Sequence, residues 1–539
     1  MSLAPETVAT ANPLVGPGSE SQAPAERALL LIIAVILLCT LFPYEFFADT
    51  SPSRIGPLFG HDLLGQVEFF DVIANVLLFL PLGFGVAWLA RGRRWRSTTA
   101  LALVISSVLS FTVEFLQVYL PERDPSLIDV ITNTAGGLLG SAVFHFWGSW
   151  IVAMFSRSMA VIRNKLQRIP ATPVLVAFLV YLGAACTASI YLQRELLPSD
   201  WDRRYPLVVG SETAGEFPWV GRVETLAIAD RALPELARIG VTPEVFKAMQ
   251  NSFVGSYFLT GPGPYLDVRG NLQALNWNRE PQQTSTQGQM QQGTEWLQTS
   301  GPAAMIAERI RGTRQFTLSL VCAPANTTQH GPATIVSFSR DQYHRNFGVA
   351  QDSDALVIWF RTVLSGREAA APYLQIPRLF TTTATRHLLL TFDGAELAVF
   401  VDGKRQPHPM VLNAGVGFFA RLFALERTHV KSRNLRGYGV LYYTLIFLPL
   451  GLLLALLSGE IPARWRAPVL IAGLCLPSSF LELVLVRYSG KPFSYFNLCL
   501  GIVIATLGFW LCQVVIRPST RRTAQVPGLP AEARTTVLG

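Results

Sequence analysis

DVIANVLLFLPLGFGVAWLA, residues 71–90, and LYYTLIFLPLGLLLALL, residues 441–457, share the run Phe-Leu-Pro-Leu-Gly at 79–83 and again at 447–451. Each stretch suits a membrane, because hydrocarbon about 30 Å thick takes roughly 20 apolar residues of helix to cross. Working outward, eight runs of this kind appear, at 28–47, 70–90, 98–119, 128–151, 172–192, 438–458, 467–486 and 496–516. Composition agrees: of 539 residues 50% are hydrophobic and only 15% charged, with a mean hydropathy of +0.34, beyond the usual soluble range. Between the fifth and sixth runs lies a long stretch of ordinary soluble composition. The expected fold is an α-helical polytopic membrane protein of about eight transmembrane helices, in two parallel four-helix repeats, plus an extracytoplasmic all-β sandwich.

The repeat rests on more than five apolar residues. At the same offset of 368 residues, Glu114 maps to Glu482, Arg123 to Lys491, Ser126 to Ser494, Asp129 to Asn497 and Gly140 to Gly508, with no gap. A membrane glutamate matched in register with its neighbours is hard to obtain by chance. Four crossings per copy let both copies run in the same direction. The soluble stretch is then an enlarged first outer loop of the second copy.

Orientation follows from Lys and Arg in short loops. Thirteen of them (Arg91, Arg93, Arg94, Arg96, Arg157, Arg163, Lys165, Arg168, Arg464, Arg466, Arg517, Arg521, Arg522) lie on one side and four (Arg54, Arg123, Arg487, Lys491) on the other. The richer side is cytoplasmic. Lys431, Arg433 and Arg436 at the outer end of the sixth run go against this, but long domains translocate largely regardless of charge. The expected organisation is therefore a disordered cytoplasmic N-terminus (1–27), a four-helix bundle (28–155), a basic cytoplasmic loop and fifth span (156–192), and an extracytoplasmic β domain (193–436). A degenerate second helical set (437–516) and a disordered cytoplasmic tail (517–539) complete it. The segment before Ala28 has no basic n-region, so the first run reads as a retained helix, not a cleaved signal. Of six cysteines only Cys322 lies in the soluble stretch, so no disulfide forms inside it. The net charge of +8 reflects the cytoplasmic arginines, and no nucleic-acid partner is expected.

Polar residues in the first bundle are grouped. Asp71 and Asn75 start the second run, Glu114 and Gln117 end the third, and Asp129 and Asn133 start the fourth; each pair shares one helix face. Arg123 and Ser126 lie in the loop between the third and fourth, so all eight side chains share the outer depth. Arg123 merely neutralising Glu114 or Asp129 is the plainer account. A ligand site is preferred because three helices converge and carboxylates outnumber the cation. Pro81 and Gly83 read as a kink and a packing point. In the second copy Asp71, Asn75, Gln117 and Asn133 are replaced by Gly439, Tyr443, Leu485 and Gly501, so that copy reads as a decayed site.

The pattern Asp71-x3-Asn75-x3-Phe79-x-Pro81-Leu82-Gly83, Glu114-x2-Gln117, Arg123-x2-Ser126-x2-Asp129-x3-Asn133-x2-Gly136-x3-Gly140 resembles the VanZ-like family of bacterial membrane proteins, over about residues 35–150. The resemblance implies a cell-envelope role in the inner (cytoplasmic) membrane, a founding member lowering susceptibility to the glycopeptide teicoplanin. It implies no known reaction.

Residues 193–436 read as short alternating strands, including 316–321, 333–338, 355–360, 387–391 and 396–401. Asp393-Gly394 and Asp402-Gly403 mark turns, making 387–403 a hairpin. The stretch from Phe316 through Arg345-Asn346-Phe347 to Phe400-Val401-Asp402-Gly403-Lys404 resembles the laminin-G/concanavalin-like jelly roll. Residues 218–222 and 229–233 resemble that fold's closing strand and turn, so its first strands are expected from 205–235. The resemblance implies binding of glycan or protein. Asp341, Asp352 and Asp354 are calcium candidates, although Asp-rich surface turns explain them more simply. Tyr343, Trp359 and Tyr373 are stacking candidates, with core packing preferred for Trp359.

No P-loop, zinc spacing, Gly-x-Ser-x-Gly or dinucleotide fingerprint occurs, and no cofactor is expected. The leading function is an envelope module whose polar site holds a lipid or glycan headgroup and whose outer domain binds glycan or protein. The bilayer and envelope glycan, free or lipid-linked, are its partners. A transporter of lipid or lipid-linked glycan is the alternative favoured by a parallel repeat. It would require polar groups continuing inward, and the second to fourth runs show almost none below Asn75 and Asn133. An intramembrane enzyme using Glu114 or Asp129 as base is a third class, which the sequence leaves open.

Overall fold

The computed structural model describes residues 23–41, 69–120, 126–239, 248, 250–279, 288–290, 295–369, 372–407, 409–422 and 435–516. It divides into two compact units, Met1–Ile162 and Arg163–Gly539. Among the described residues seven helices are long and apolar enough to cross a membrane, which makes the chain a multi-pass membrane protein.

The first unit contains α1 (Ala23–Thr40), α2 (Phe69–Leu89), α3 (Trp95–Gln117) and α4 (Leu127–Leu166), the last running across the division. The apolar part of α1, Ala28–Thr40, is shorter than a span; positions 42–47 of the expected first run lie outside the described residues. α4 corrects the expected boundary at 151. It runs on as helix to Leu166 and carries Arg157, Arg163 and Lys165, where a loop was expected. Charge ends a membrane run without ending a helix, and cations suit a helix C-terminus.

α2 and α4 meet backbone to backbone. A Cβ on Gly83 would stand 1.8 Å from the Gly137 carbonyl oxygen, and one on Gly140 1.9 Å from that of Leu80. Small residues permit such approach, which is how membrane helices pack when no hydrophobic effect drives them together. Ile36 of α1 closes over Phe79 and Leu82 of α2.

The second unit begins with α5 (Ala171–Glu195) and, after the sheets, contains α9 (Leu435–Leu457), α10 (Ala463–Ser489) and α11 (Tyr495–Ile516). The glycine contacts recur 368 positions on. A Cβ on Gly451 would meet the Ala505 carbonyl oxygen at 2.0 Å, and one on Gly508 that of Leu448 at 2.4 Å.

Between these helices lie β1 (Leu207–Val209), β2 (Gly221–Ala229), α6 (Leu236–Ile239), β3 (Gly255–Phe258), β4 (Leu275–Trp277), β5 (Gln289–Met290), β6 (Leu297–Thr299) and α7 (Ala304–Thr313). There follow β7 (Phe316–Pro324), β8 (Ala333–Asp341), β9 (His344–Asp352), β10 (Ala355–Phe360), β11 (Leu374–Ile376), β12 (Arg386–Phe392), β13 (Glu396–Val401), β14 (Lys404–Arg405), β15 (Met410–Val411) and α8 (Ala414–Leu422). Among the described residues one sheet has the order β11-β10-β9-β8-β1-β6-β4 and the other β14-β13-β12-β7-β2-β3, with β15 on β13 and β5 on β2. All these pairings are antiparallel. The early strands join the later body, β1 pairing with β8 and β2 with β7. The expected hairpin forms with Leu388 opposite Val401, and the Asp393 carboxylate accepts the N–H groups of Ala395 and Glu396 in its turn.

The two sheets share one core. Phe360 of the first packs against Phe392 of the second with ring centroids 4.8 Å apart, and Trp201 lies against Phe316 and Phe347. That core reaches into the helices, since Leu196, Leu197 and Leu435 belong to it. Polar groups lock the junction. Gln193 Nε2 donates to the Leu412 carbonyl at 3.0 Å, the Leu364 N–H to the Glu195 carbonyl at 2.9 Å, and Arg421 Nε to the Glu195 carboxylate at 2.7 Å.

Candidate functional site

The α2–α4 contact sets the geometry of the polar group in the first unit. With the two backbones touching at Gly136, Gly137 and Gly140, the first turns of the helices are also close, and Asn75 Nδ2 donates to Asp129 Oδ1 at 2.9 Å. Both side chains are half-buried, while Asp71, one turn earlier on α2, is exposed. On α3, Glu114 is buried, and its Oε2 accepts the backbone N–H of Ser126 at 2.9 Å. That N–H stands at the start of α4, where unpaired amides and the helix dipole favour an anion. One turn deeper, Asn133 Nδ2 donates to Ser110 Oγ at 2.9 Å. The Asn133 residue is only 2% exposed, and its Oδ1 has no hydrogen-bond partner among the described residues. A buried acceptor left in that state is costly unless something else donates to it.

Of the eight expected site residues, these contacts bring together Asn75 with Asp129 and Glu114 with Ser126. Gln117 turns away from them: its Nε2 donates to the Thr40 carbonyl at 2.9 Å and closes the last turn of α1. Arg123 lies outside the described residues.

The structure corrects the expectation of apolar helices further in. Along the α3–α4 contact, Ser107 bonds Thr134 at 3.2 Å, Thr99 bonds Ser141 at 3.3 Å, and Thr98 bonds His145 Nε2 at 2.8 Å. Ser106, between these pairs and fully buried, has a hydroxyl with no hydrogen-bond partner among the described residues. The signal lay in spacing, not hydropathy. Thr98, Ala102, Ser106, Ser110 and Glu114 recur every fourth residue on α3, as do Asn133, Gly137, Ser141 and His145 on α4, so each set faces one way.

In the second unit the equivalent positions are closed. Glu482 is buried, ion-paired with Lys491, and accepts the Ser494 N–H at 2.6 Å, the counterpart of the Ser126 bond. At Gly501, which replaces Asn133, a Cβ would stand 2.4 Å from Ser478 Oγ and 2.9 Å from the Phe447 ring, so no asparagine fits. Gly439, which replaces Asp71, lies against Asn413, whose carboxamide would be 2.7 Å from an added Cβ.

In the β domain, burial alone would raise the Asp341 carboxyl, but hydrogen bonds from His344, Arg340 and the Tyr343 N–H outweigh it and hold the group below the usual range. Among the described residues no group of three or more His, Cys, Asp or Glu is placed to hold a metal ion. Trp359 packs in the interior with the Arg345 guanidinium 4.8 Å above its ring, and Tyr373 lies against the same cluster. Tyr343 is 58% exposed at the tip of the β8–β9 hairpin.

These features define a multi-pass membrane protein with a helical polar site and a separate sheet-rich region. Residues 28–148 match the family model described as VanZ/LLP1, so the first bundle is a VanZ-like domain, and the match takes in all eight expected site positions. The chain matches no curated protein and no solved structure.

Proposed function

We propose that the protein is a bacterial cell-envelope membrane protein of the VanZ-like type, seated in the inner membrane with residues 193–436 outside. Its first bundle holds the headgroup of an envelope lipid or glycan at outer-leaflet depth. The carrying observation is the half-buried Asn75–Asp129 pair one helical turn from exposed Asp71, with buried Glu114 and the Asn133 acceptor, unpartnered among the described residues, on the adjoining turns. Ionisable groups gathered at such depth normally meet a partner or ligand. Arg123, in the loop between α3 and α4, supplies the cation for a phosphate or carboxylate. The β domain is read as a laminin-G/concanavalin-like sandwich that binds glycan or protein, supported by two antiparallel sheets on one core and by Tyr343 exposed beside Arg340 and His344.

The test is mass spectrometry of lipid co-purified with the full chain. One envelope lipid or lipid-linked glycan should be enriched, and Asp129→Asn should lose it at unchanged abundance of folded protein. Identical lipid profiles for both proteins would refute the reading.

A further inference from the structure

We propose that the α3–α4 contact of the first bundle is a proton path, along which hydroxyl groups and water pass a proton between Glu114 and His145. The inference does not rest on what binds at the Glu114 end.

Three observations carry it. The first is reach. From Glu114 to Thr98 is 16 residues of α3, about 24 Å at 1.5 Å per residue, most of the roughly 30 Å of hydrocarbon. Cross-helix pairs stand near both ends of that length, Ser110–Asn133 and Ser107–Thr134 at one and Thr99–Ser141 and Thr98–His145 at the other, and their members climb α4 as they descend α3, as antiparallel neighbours must.

The second is incompleteness. Ser106 Oγ and Asn133 Oδ1 are buried without a hydrogen-bond partner among the described residues, and both lie within this track. Buried polar atoms of this kind are the ordinary anchor points of internal water. Water at these two points extends the Ser110–Asn133 and Ser107–Thr134 pairs, and further water along the seven residues of α3 from Ser106 to Thr99, about 10 Å, joins them to the lower pairs in one hydrogen-bonded file.

The third is the chemistry of the ends. Carboxylate and imidazole exchange protons readily, and chains of Asp, Glu and His are the usual intramembrane relays. Glu114 meets the Ser126 N–H, with Asp129 held by Asn75 on the same side. His145 meets Thr98 and the Phe144 ring. One proton enters on the Glu114 carboxylate and one leaves from the His145 imidazole. Each hydroxyl or water between gives one and takes one, so the file ends with the protons it began with.

The second helical set supplies an internal contrast. Ser106, Ser107, Thr134, Ser141 and His145 correspond to Leu474, Cys475, Ile502, Phe509 and Gln513. Among the described residues, neither the Ser107–Thr134 nor the Thr99–Ser141 bond has a counterpart there.

The experiment uses the full chain in liposomes loaded with a pH-reporting dye, with a potassium gradient and valinomycin drawing protons inward. The initial rate should exceed that of protein-free liposomes. Ser141→Ala and His145→Gln should each return it to the protein-free rate, while Thr506→Val, on the exposed side of α11, should leave it unchanged. His145 is exposed, so its replacement keeps the test available if Ser141→Ala fails to fold, as size exclusion would reveal. Wild-type flux equal to protein-free liposomes would overturn the proposal, as would a folded His145→Gln protein as fast as wild type.

Discussion

Gly83 against Gly137 in the first helical set and Gly451 against Ala505 in the second are the same contact at the same register. Asn133 and Gly501 are also equivalent, yet one bonds Ser110 and the other leaves no room for a side chain. Helix packing and polar chemistry have thus been kept separately. A bundle that packs backbone on backbone needs its small residues whatever it does, whereas Asn, Ser and His inside a membrane are costly and persist where they serve something. The second set also has its entrance covered, because Asn413 stands against Gly439 and donates to the Leu435 carbonyl at 3.4 Å. Asp71, at the equivalent position of the first set, is exposed.

The largest effect should come from the shared contacts. Gly140→Val and Gly508→Val each drive a branched side chain into a facing carbonyl, 1.9 Å and 2.4 Å from the first added carbon. Backbone cannot yield as a flexible side chain can, so each should cost about 3 kcal/mol or more. Loss of monodisperse protein in detergent is the readout. Tolerance of either would break the claim of a common packing skeleton.

Next come the two buried glutamates. Glu482→Gln removes one half of a buried ion pair and leaves Lys491 uncompensated, at about 3–5 kcal/mol. Lys491→Met should cost a similar amount, and the double variant less than either single one. Glu114→Gln should cost less stability, since the bond to the Ser126 N–H can be kept by the amide oxygen, yet it should abolish lipid retention. Thermal unfolding alongside lipid analysis separates the two. Equal destabilisation with no loss of lipid would make Glu114 as structural as Glu482.

What the sequence revealed divides along the same line. Seven of the eight spans, the register shared by the two sets of glycine contacts and the hairpin were legible, because run length, register and Asp-Gly turns are local signals. The extension of α4 to Leu166 was not, since hydropathy reports the membrane and not the helix. The outer polar group was legible as a cluster, but Gln117 could not be assigned to Thr40 without the path of α1. The inner polar track was missed because single Ser and Thr residues four apart barely lower mean hydropathy. Their meeting depends on how α3 and α4 cross, which Gly137 sets by lying against Ser106. Pairing of β1 with β8 and of β2 with β7 spans too many residues for any local signal.

A smaller effect tests the asymmetry at one site. Asn133→Gly converts the first set to the second at that position, losing one buried hydrogen bond of about 1 kcal/mol. Gly501→Asn attempts the reverse and should be worse, because Ser478 and Phe447 occupy the space. If Gly501→Asn proved the milder change, the account of a closed second site would fail.

The smallest effect concerns the domain that the second set carries. His387 on β12 hydrogen-bonds Ser319 Oγ through Nε2 at 3.0 Å. Burial pushes its imidazole below the ordinary value, more than the nearby Asp402 carboxylate lifts it. The folded domain therefore binds this proton less readily than the unfolded chain. The stability so gained is present above the unfolded value of about 6.5 and is lost as pH falls through the lower folded value. Glu212 works in the opposite sense, because burial raises its carboxyl despite Arg345; that group favours folding below the ordinary Glu range and loses its contribution as pH rises through the folded value. Between pH 7.5 and 5.5, limited proteolysis of the β domain in the full chain should accelerate. His387→Gln should flatten that dependence, leaving Glu212 to oppose it. Cys322, fully buried and with its thiol pushed up to about 12 by burial, offers a second readout, since an impermeant thiol reagent should reach it only as the domain opens. Cleavage and labelling that stay independent of pH in the wild type would remove His387 as the origin of any acid sensitivity in this half of the molecule.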